Sequence, residues 1–252
     1  SAASDVYKRQ TYNSVMNGSV KEFVNTCYPE FLYMDRNRYT FWPIAQDTFF
    51  ASFMGVRYLI SEKPDLDDTK YKYLRQFGQL FLYKNVKEAD VARFYENTVS
   101  EESLRKLCTG KKRKKNRERI LENYLVTEDG VDISDFSELT EVLEEQKKSA
   151  VTLDAAEKDS YLTGSVSAQA DGYVMCMIPW EKGWTVTVDG EKVQTQKGDL
   201  GFLAFQVDKG EHQLELTYQV PGLKAGMAAG VVCWFIYISI CFYQSRKKKR
   251  NL

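Results

Sequence analysis

From Ala225 to Tyr243 the sequence runs without a charge, AGMAAGVVCWFIYISICFY, and after Gln244-Ser245 it meets Arg246, Lys247, Lys248, Lys249 and Arg250. About 20 helical residues cover the roughly 30 Å hydrocarbon core of a bilayer, so this run is long enough to span one. A buried helix of a soluble core is the competing reading. Such a helix rarely runs this far uncharged and rarely stops at consecutive basic residues. Trp234, Tyr237 and Tyr243 suit an anchor, although Trp234 falls near mid-span, and the small residues Gly226, Ala228, Ala229 and Gly230 would let another helix approach closely. Basic residues beside a span stay on the cytoplasmic side, which predicts an inside C-terminus and places residues 1–224 outside the membrane.

Composition narrows what precedes the span. Net charge is +0 with 43% apolar residues, which predicts a folded protein and excludes a disordered tail or a nucleic-acid binder. The charge balance is local cancellation: Lys111 to Arg119 (KKRKKNRER) is basic, whereas Glu128 to Glu145 is acid-rich. Cys27, Cys108, Cys176, Cys233 and Cys241 are scattered without a CxxC, so a zinc site is not expected. At most one disulfide is expected among the first three of them. Neither an initiator Met nor a signal peptide opens the chain, so export is expected to depend on membrane segments further upstream. The first ten residues, SAASDVYKRQ, join awkwardly to the rest and read as a cloning or sequencing scar.

Two patterns divide the exported part. Residues 11–148 read as mixed α and β. Ser19 and Glu22 form a capping box for a helix through Cys27, Gln46 to Met54 has helical spacing closed by Gly55, and Val56 to Ile60 is a β-branched and aromatic strand. Tyr71–Phe77 and Leu80–Tyr83 flank Gly78-Gln79 as a hairpin, and Ala92–Tyr95 adds a strand. Ser100 caps a helix with Glu101 and Glu102 in its first turn, and a further helix is expected from Lys114 to Leu125. From residue 149 to 222 the period becomes two. The segments Tyr161–Gln169, Gly172–Ile178, Trp184–Val188, Lys192–Gln196, Phe202–Val207 and His212–Val220 predict an antiparallel, jelly-roll-like β-sandwich. Within WTVTVDGEKVQTQ, Asp189-Gly190 makes a hairpin turn with Trp184, Val186 and Val188 on one face, and Asp208-Lys209-Gly210 repeats that logic. The fold class is therefore α+β: a mixed segment, a sandwich, one membrane helix at 223–244 and a basic tail at 245–252.

Several stretches, taken in order, resemble the C-terminal region of the YfhO family of bacterial membrane proteins. They are FFASFMGVRYLI (Phe49 to Ile60), LFLYKN (Leu80 to Asn85), DGYVMCMIPWEKGWTVTVDG (Asp171 to Gly190) and GFLAFQVDKGEHQLELTYQVPGLKAG (Gly201 to Gly226). The resemblance covers most of the chain and is weakest in the middle. It implies a polytopic GT-C-type membrane glycosyltransferase that decorates lipoteichoic or wall teichoic acid outside the cell from lipid-linked sugars. In such enzymes the catalytic acids sit in extracellular loops near the N-terminal spans. The resemblance thus implies an enzyme, assigns the catalysis to a part outside this stretch and hands no catalytic residue to it.

A search for chemistry within the stretch agrees. His212 is the only histidine, which removes histidine triads and multi-histidine metal sites, and it reads as a strand position with a satisfied ring. No nucleophile elbow, P-loop, dinucleotide fingerprint or HExxH occurs. Asp65, Asp67 and Asp68 look like half a calcium loop but lack its Gly and terminal Glu, so a solvated turn is expected. Trp180, Trp184 and Tyr218 are the candidates for carbohydrate contact, because aromatic faces suit the apolar side of a sugar ring. Against that stands Trp184 as a plug in the sandwich core, which leaves Trp180, in a loop after Pro179, as the better candidate. Asp189 reads as a turn residue. Lys111, Lys112, Arg113, Lys114 and Lys115 are the candidates for polyanion contact, with a solvated loop and first helical turn as the default. No metal, cofactor or nucleic acid is expected. The partners expected are the bilayer and, through the full-length protein, a lipid-linked sugar and a teichoic acid polymer. The alternative is a membrane-anchored, noncatalytic domain that binds carbohydrate or cell-wall polymer.

Overall fold

The computed structural model describes residues 17–35, 38–41, 47–87, 91–134, 149–155 and 161–250. The SAASDVYKRQ segment and most of the acid-rich stretch from Glu128 to Glu145 lie outside the described residues. In chain order the elements are α1 (Gly18–Cys27), β1 (Leu32–Asp35), β2 (Arg38–Phe41), α2 (Thr48–Phe53), β3 (Tyr58–Ser61), β4 (Tyr71–Phe77), β5 (Leu80–Asn85), β6 (Ala92–Tyr95) and β7 (Thr98–Ser100). There follow α3 (Glu101–Leu107), α4 (Arg113–Asn123), β8 (Leu125–Thr127), β9 (Ala150–Ala155), β10 (Tyr161–Ala168), β11 (Gly172–Pro179) and β12 (Trp184–Val188). The chain closes with β13 (Glu191–Val193), β14 (Thr195–Gly198), β15 (Phe202–Val207), β16 (Gly210–Tyr218) and α5 (Leu223–Arg250). The fold is mixed α and β with antiparallel sheets and one long apolar C-terminal helix, as the sequence predicts.

Two sheets pack face to face. The first has the order β13-β12-β16-β10-β9 and the second β14-β15-β11-β6. Val166, Val186, Leu214 and Leu216 from the first meet Val174, Cys176, Leu203, Phe205 and Val207 from the second in one apolar core. The second sheet is buried on its other face too. Phe202 and Ala204 of β15 join a larger core with Phe23, Phe50, Phe53 and Tyr28 from α1 and its neighbours. Phe23 stacks on Phe53 at 5.3 Å between ring centroids and meets Phe202 edge-on at 5.0 Å. A strand covered on both faces has no polar side to show water, which is why β15 reads FLAFQV with Gln206 as its one exposed residue. The same sheet takes β6 as its edge partner on β11, so residues 92–95 leave the mixed segment and join the second sheet.

Local signals held where they rested on turn and cap chemistry. Ser100 Oγ accepts from Ser103 N at 3.1 Å and caps α3, while Gly78 (φ 58) turns β4 into β5. Asp189 (φ 51) and Gly190 (φ 83) form the two-residue turn between β12 and β13, where both central residues must be left-handed to match the twist of the strands.

Other expectations are corrected. Helix α1 is capped by Asn17 and not by Ser19: Asn17 Oδ1 accepts from Ser19 N at 3.0 Å and Val20 N at 3.3 Å. Asn17 prevails because its Nδ2 also donates to Glu181 Oε1 at 2.6 Å, so tertiary contact fixes the cap. Glu22 pairs instead with Arg105 and Lys197. The single strand expected over Lys192–Gln196 divides into β13 and β14, which belong to different sheets. Asp208-Lys209 is a crossover from one sheet to the other, not a hairpin turn, and Asp171 Oδ1 fixes it by accepting from Lys209 N at 2.8 Å. Strand β9 pairs with β10 without having been expected as a strand. Cys27, Cys108 and Cys176 are buried free thiols.

Candidate functional site

The end of the two-sheet unit next to α5 carries the three aromatic candidates. Trp184 and Tyr218 are a cross-strand pair on β12 and β16, with ring centroids 5.0 Å apart. Directly opposite cross-strand pairs of this kind are the unit of sheet stabilisation, so the pairing is structural in the first instance. Tyr218 Oη donates to Glu181 Oε2 at 2.5 Å, and this bond to a carboxylate raises the phenol above its ordinary pKa. Glu181 therefore joins Asn17 at the start of α1 to the last strand before the helix. Trp180 is half-buried and packs on the core between the sheets. Its backbone N–H donates to Gly201 O at 2.9 Å and its indole N–H is buried without a hydrogen-bond partner. Gly183 sits so close to Gln219 that a Cβ there would lie 2.4 Å from the Gln219 carbonyl oxygen. The chain then turns at Gly222 (φ 80) into α5.

Residues Leu223–Tyr243 of α5 have a mean hydropathy of 2.0, and none of that stretch is buried within the chain. Its 21 residues reach about 31 Å at a rise of ~1.5 Å per residue, which matches a bilayer core. The helix continues through the basic tail to Arg250.

The structure splits the basic run. Lys111 and Lys112 lie in a short 3-10 turn and are exposed, as is Lys115 in the first turn of α4. Arg113 pairs with Glu30 at 2.8 Å, and Lys114 pairs with Asp47 at 3.1 Å and Glu118 at 3.8 Å. Arg117 is fully buried. Its guanidinium lies 3.6 Å over the Tyr28 ring, Nη1 bonds Glu30 Oε1 at 2.9 Å and donates to the Cys27 carbonyl, and Nη2 is 3.8 Å from Asp47 Oδ2. The run is thus partly an interior ion-pair network that ties α4 to α1 and α2. Sequence reasoning passed over Arg117, although the signal was present: Ile120, Leu121 and Tyr124 stand three, four and seven residues on, so Arg117 shares their buried face.

The opposite end of the sheets holds a cleft of about 770 Å³. His212, six residues up β16 from Tyr218, is roughly 20 Å from that end at ~3.4 Å per residue. The cleft opens where the β12–β13 hairpin, the β13–β14 link and the β15–β16 crossover converge. Its wall carries Asp189, Glu191, Gln194, Gln196, Asp208 and His212. Asp129, Tyr173 and Gln206 face it too, with Val188, Val193 and Val207 between them. His212 Nδ1 lies 2.7 Å from Asp189 Oδ2 and Nε2 lies 3.1 Å from the Asp208 carbonyl oxygen. Both partners are acceptors, a setting that favours the doubly protonated ring. The hydrogen bond to Asp189 holds the His212 pKa above its usual value, while the Gln213 N–H and His212 hold Asp189 below its own. The reading of His212 as a satisfied strand residue and of Asp189 as a turn residue agrees with this geometry, but both also stand on the wall of a cleft.

The Asp65–Asp68 stretch is exposed, and Asp67 closes a local turn by accepting from Thr69 N at 3.0 Å and pairing with Lys70 at 3.3 Å. Among the described residues no group of three or more His, Cys, Asp or Glu is placed to hold a metal ion.

These elements define a class: a two-layered antiparallel unit that leads directly into a helix able to cross a membrane. Residues 123–229 match the family described as bacterial membrane protein YfhO. The chain is also 34% identical over 91 residues to "Uncharacterized protein YfhO" of Bacillus subtilis (strain 168), a match covering 36% of this chain and 10% of that protein. Together the two matches support membership of the YfhO family. The matched stretch spans about a tenth of that relative's length. No solved structure matches the chain.

Proposed function

We propose that the chain is the extracytoplasmic region and last span of a polytopic, GT-C-like membrane glycosyltransferase that acts on lipoteichoic or wall teichoic acid from a lipid-linked sugar. The described sheets and helices then serve as an accessory region that covers or positions the acceptor, and the catalytic residues lie in other parts of the full-length protein. The observation that carries this reading is the junction at Gly222. The last strand of the packed sheets passes in a few residues into an unburied apolar helix, so the two-sheet unit is held at a membrane surface. The Glu181 bridge between Asn17 and Tyr218 stiffens that junction from the protein side. The YfhO matches support the same membrane setting.

A second reading, a membrane-anchored noncatalytic domain for cell-wall polymer, draws on exposed Lys111, Lys112 and Lys115. Exposed lysines of this kind attract a polyanion and lose that attraction as salt screens them.

One experiment separates the two. The full-length protein is reconstituted in proteoliposomes with a polyprenyl-phosphate-linked sugar and a polyol phosphate acceptor. Transfer of sugar to the acceptor is the result expected of the transferase. Acceptor retention that falls with added salt, without transfer, would leave the binding domain.

A further inference from the structure

The cleft distant from α5 plays no part in the membrane-anchored reading and does not depend on the transferase assignment. We propose that it binds a neutral, polyhydroxylated ligand, a short unphosphorylated glycan segment. Its volume of about 770 Å³ lies within the roughly 300–1,000 Å³ usual for small-ligand sites.

The lining decides the chemistry. Glu191 and Asp208 offer acceptors, and the amides of Gln194, Gln196 and Gln206 offer both donors and acceptors. Neighbouring hydroxyls on a sugar ring need such a mixture, because each hydroxyl donates once and accepts. The partly buried Val188 and Val193 supply apolar surface for the ring's C–H face, and Tyr173 supplies an aromatic edge or face. Gln196 adds an independent sign. Its Nε2 is buried with no hydrogen-bond partner, although the residue stands on the cleft wall. A buried donor left unpaired is costly, and an incoming hydroxyl oxygen would satisfy it.

Charge excludes the obvious competitors. The Asp189 carboxylate is already engaged by His212 Nδ1 and the Gln213 N–H, which leaves the carboxylates of Asp129, Glu191 and Asp208, and no Lys or Arg stands among the described residues that line the cleft. A phosphate-bearing chain would meet like charge there. Among the described residues no group of three or more His, Cys, Asp or Glu is placed to hold a metal ion. The His212 bonds to Asp189 and to the Asp208 carbonyl tie the β12–β13 turn to the β15–β16 crossover, so the rim is fixed before a ligand arrives.

Saturation-transfer difference NMR on the full chain in detergent micelles tests this, with maltotetraose and chitotetraose as neutral probes and a glycerol phosphate oligomer as the charged one. At least one neutral probe is expected to bind. The Gln194→Ala/Gln206→Ala double variant, which changes two exposed side chains and leaves both cores intact, is expected to weaken it about tenfold or more, the loss of ~1.4 kcal/mol or more of contact. Gln196→Leu, which removes the orphaned amide, is expected to weaken it as well. Failure of both neutral probes to bind overturns the proposal. So does neutral binding that survives the double variant, or glycerol phosphate binding that the double variant abolishes.

Discussion

Replacing Arg117 with alanine is expected to destabilise the folded chain by about 3–5 kcal/mol, the cost of breaking a buried ion pair from one side. Arg117 is fully buried, and its guanidinium meets Glu30, the buried Asp47, the ring of Tyr28 and the carbonyl of Cys27 in the last turn of α1. Without it Asp47 keeps the Phe50 N–H that it caps and, as its cationic partner, Lys114, whose own side chain is largely exposed, and the Cys27 carbonyl loses its donor. The aromatic core around Phe23, Phe50 and Phe53 lies on the same elements, so the loss is expected to propagate into the contact between α1 and α2. Arg117→Lys restores the charge but not the planar fork or the stacking surface, and is expected to recover only part of the loss. Urea unfolding of the chain in micelles, followed by tryptophan fluorescence, reads both. A loss below about 1 kcal/mol for Arg117→Ala, the range of an exposed pair, would contradict the network.

The second large effect is a pH dependence centred on Asp199. This residue is fully buried, sits at φ 45 in the turn between β14 and β15, and exchanges two hydrogen bonds with Val126 of β8. Its Oδ1 accepts from Val126 N at 2.8 Å, while its Oδ2 is buried with no partner. Burial pushes its pKa up to about 7, against the opposing pull of the Val126 N–H and Arg93. The folded state therefore holds a proton that the unfolded chain releases near pH 4. Stability from this group is full below that pH, falls as pH rises towards 7, and is flat above. A gap of about three pH units corresponds to a loss on the order of 4 kcal/mol across the window. Asp199→Asn keeps the acceptor for Val126 and removes the titration. Unfolding free energies at intervals from pH 4 to 9 are expected to slope downward for the natural chain and to lack that component in the variant. Equal slopes in both would refute it.

How much of this was legible in the sequence follows from what kind of signal each feature leaves. The long apolar helix α5, the Asp189-Gly190 turn and the Ser100 cap are local, set by residues within a few positions, and they were readable. The alternation of the later strands gave two-faced segments, but period two does not say which of two sheets a strand joins. The Lys192–Gln196 segment therefore divided at Gln194, and Asp208-Lys209 became a crossover. Cap choice at α1 was decided by Glu181, far away in sequence, and no local rule ranks Asn17 over Ser19 on that basis. Among the candidate residues, Trp184 and Tyr218 came together, with Trp180 packed on the core beside them. The five basic candidates separated into exposed and paired side chains. The cleft was not legible, because it forms from the ends of strands distant in sequence, and its residues each look like ordinary turn or edge positions.

Membrane attachment with the sheets outside the cell is the central claim, and thiol labelling tests it most directly. The experiment places Lys192→Cys, on the exposed strand β13, in the full-length protein with Cys233, Cys241 and every cysteine outside this chain changed to alanine. The remaining thiols, Cys27, Cys108 and Cys176, stay silent, since burial raises the first well above its ordinary pKa and the others to about 11 and about 12. The account predicts labelling of intact cells by a membrane-impermeant maleimide. Reaction only after lysis would place the sheets in the cytoplasm and contradict it.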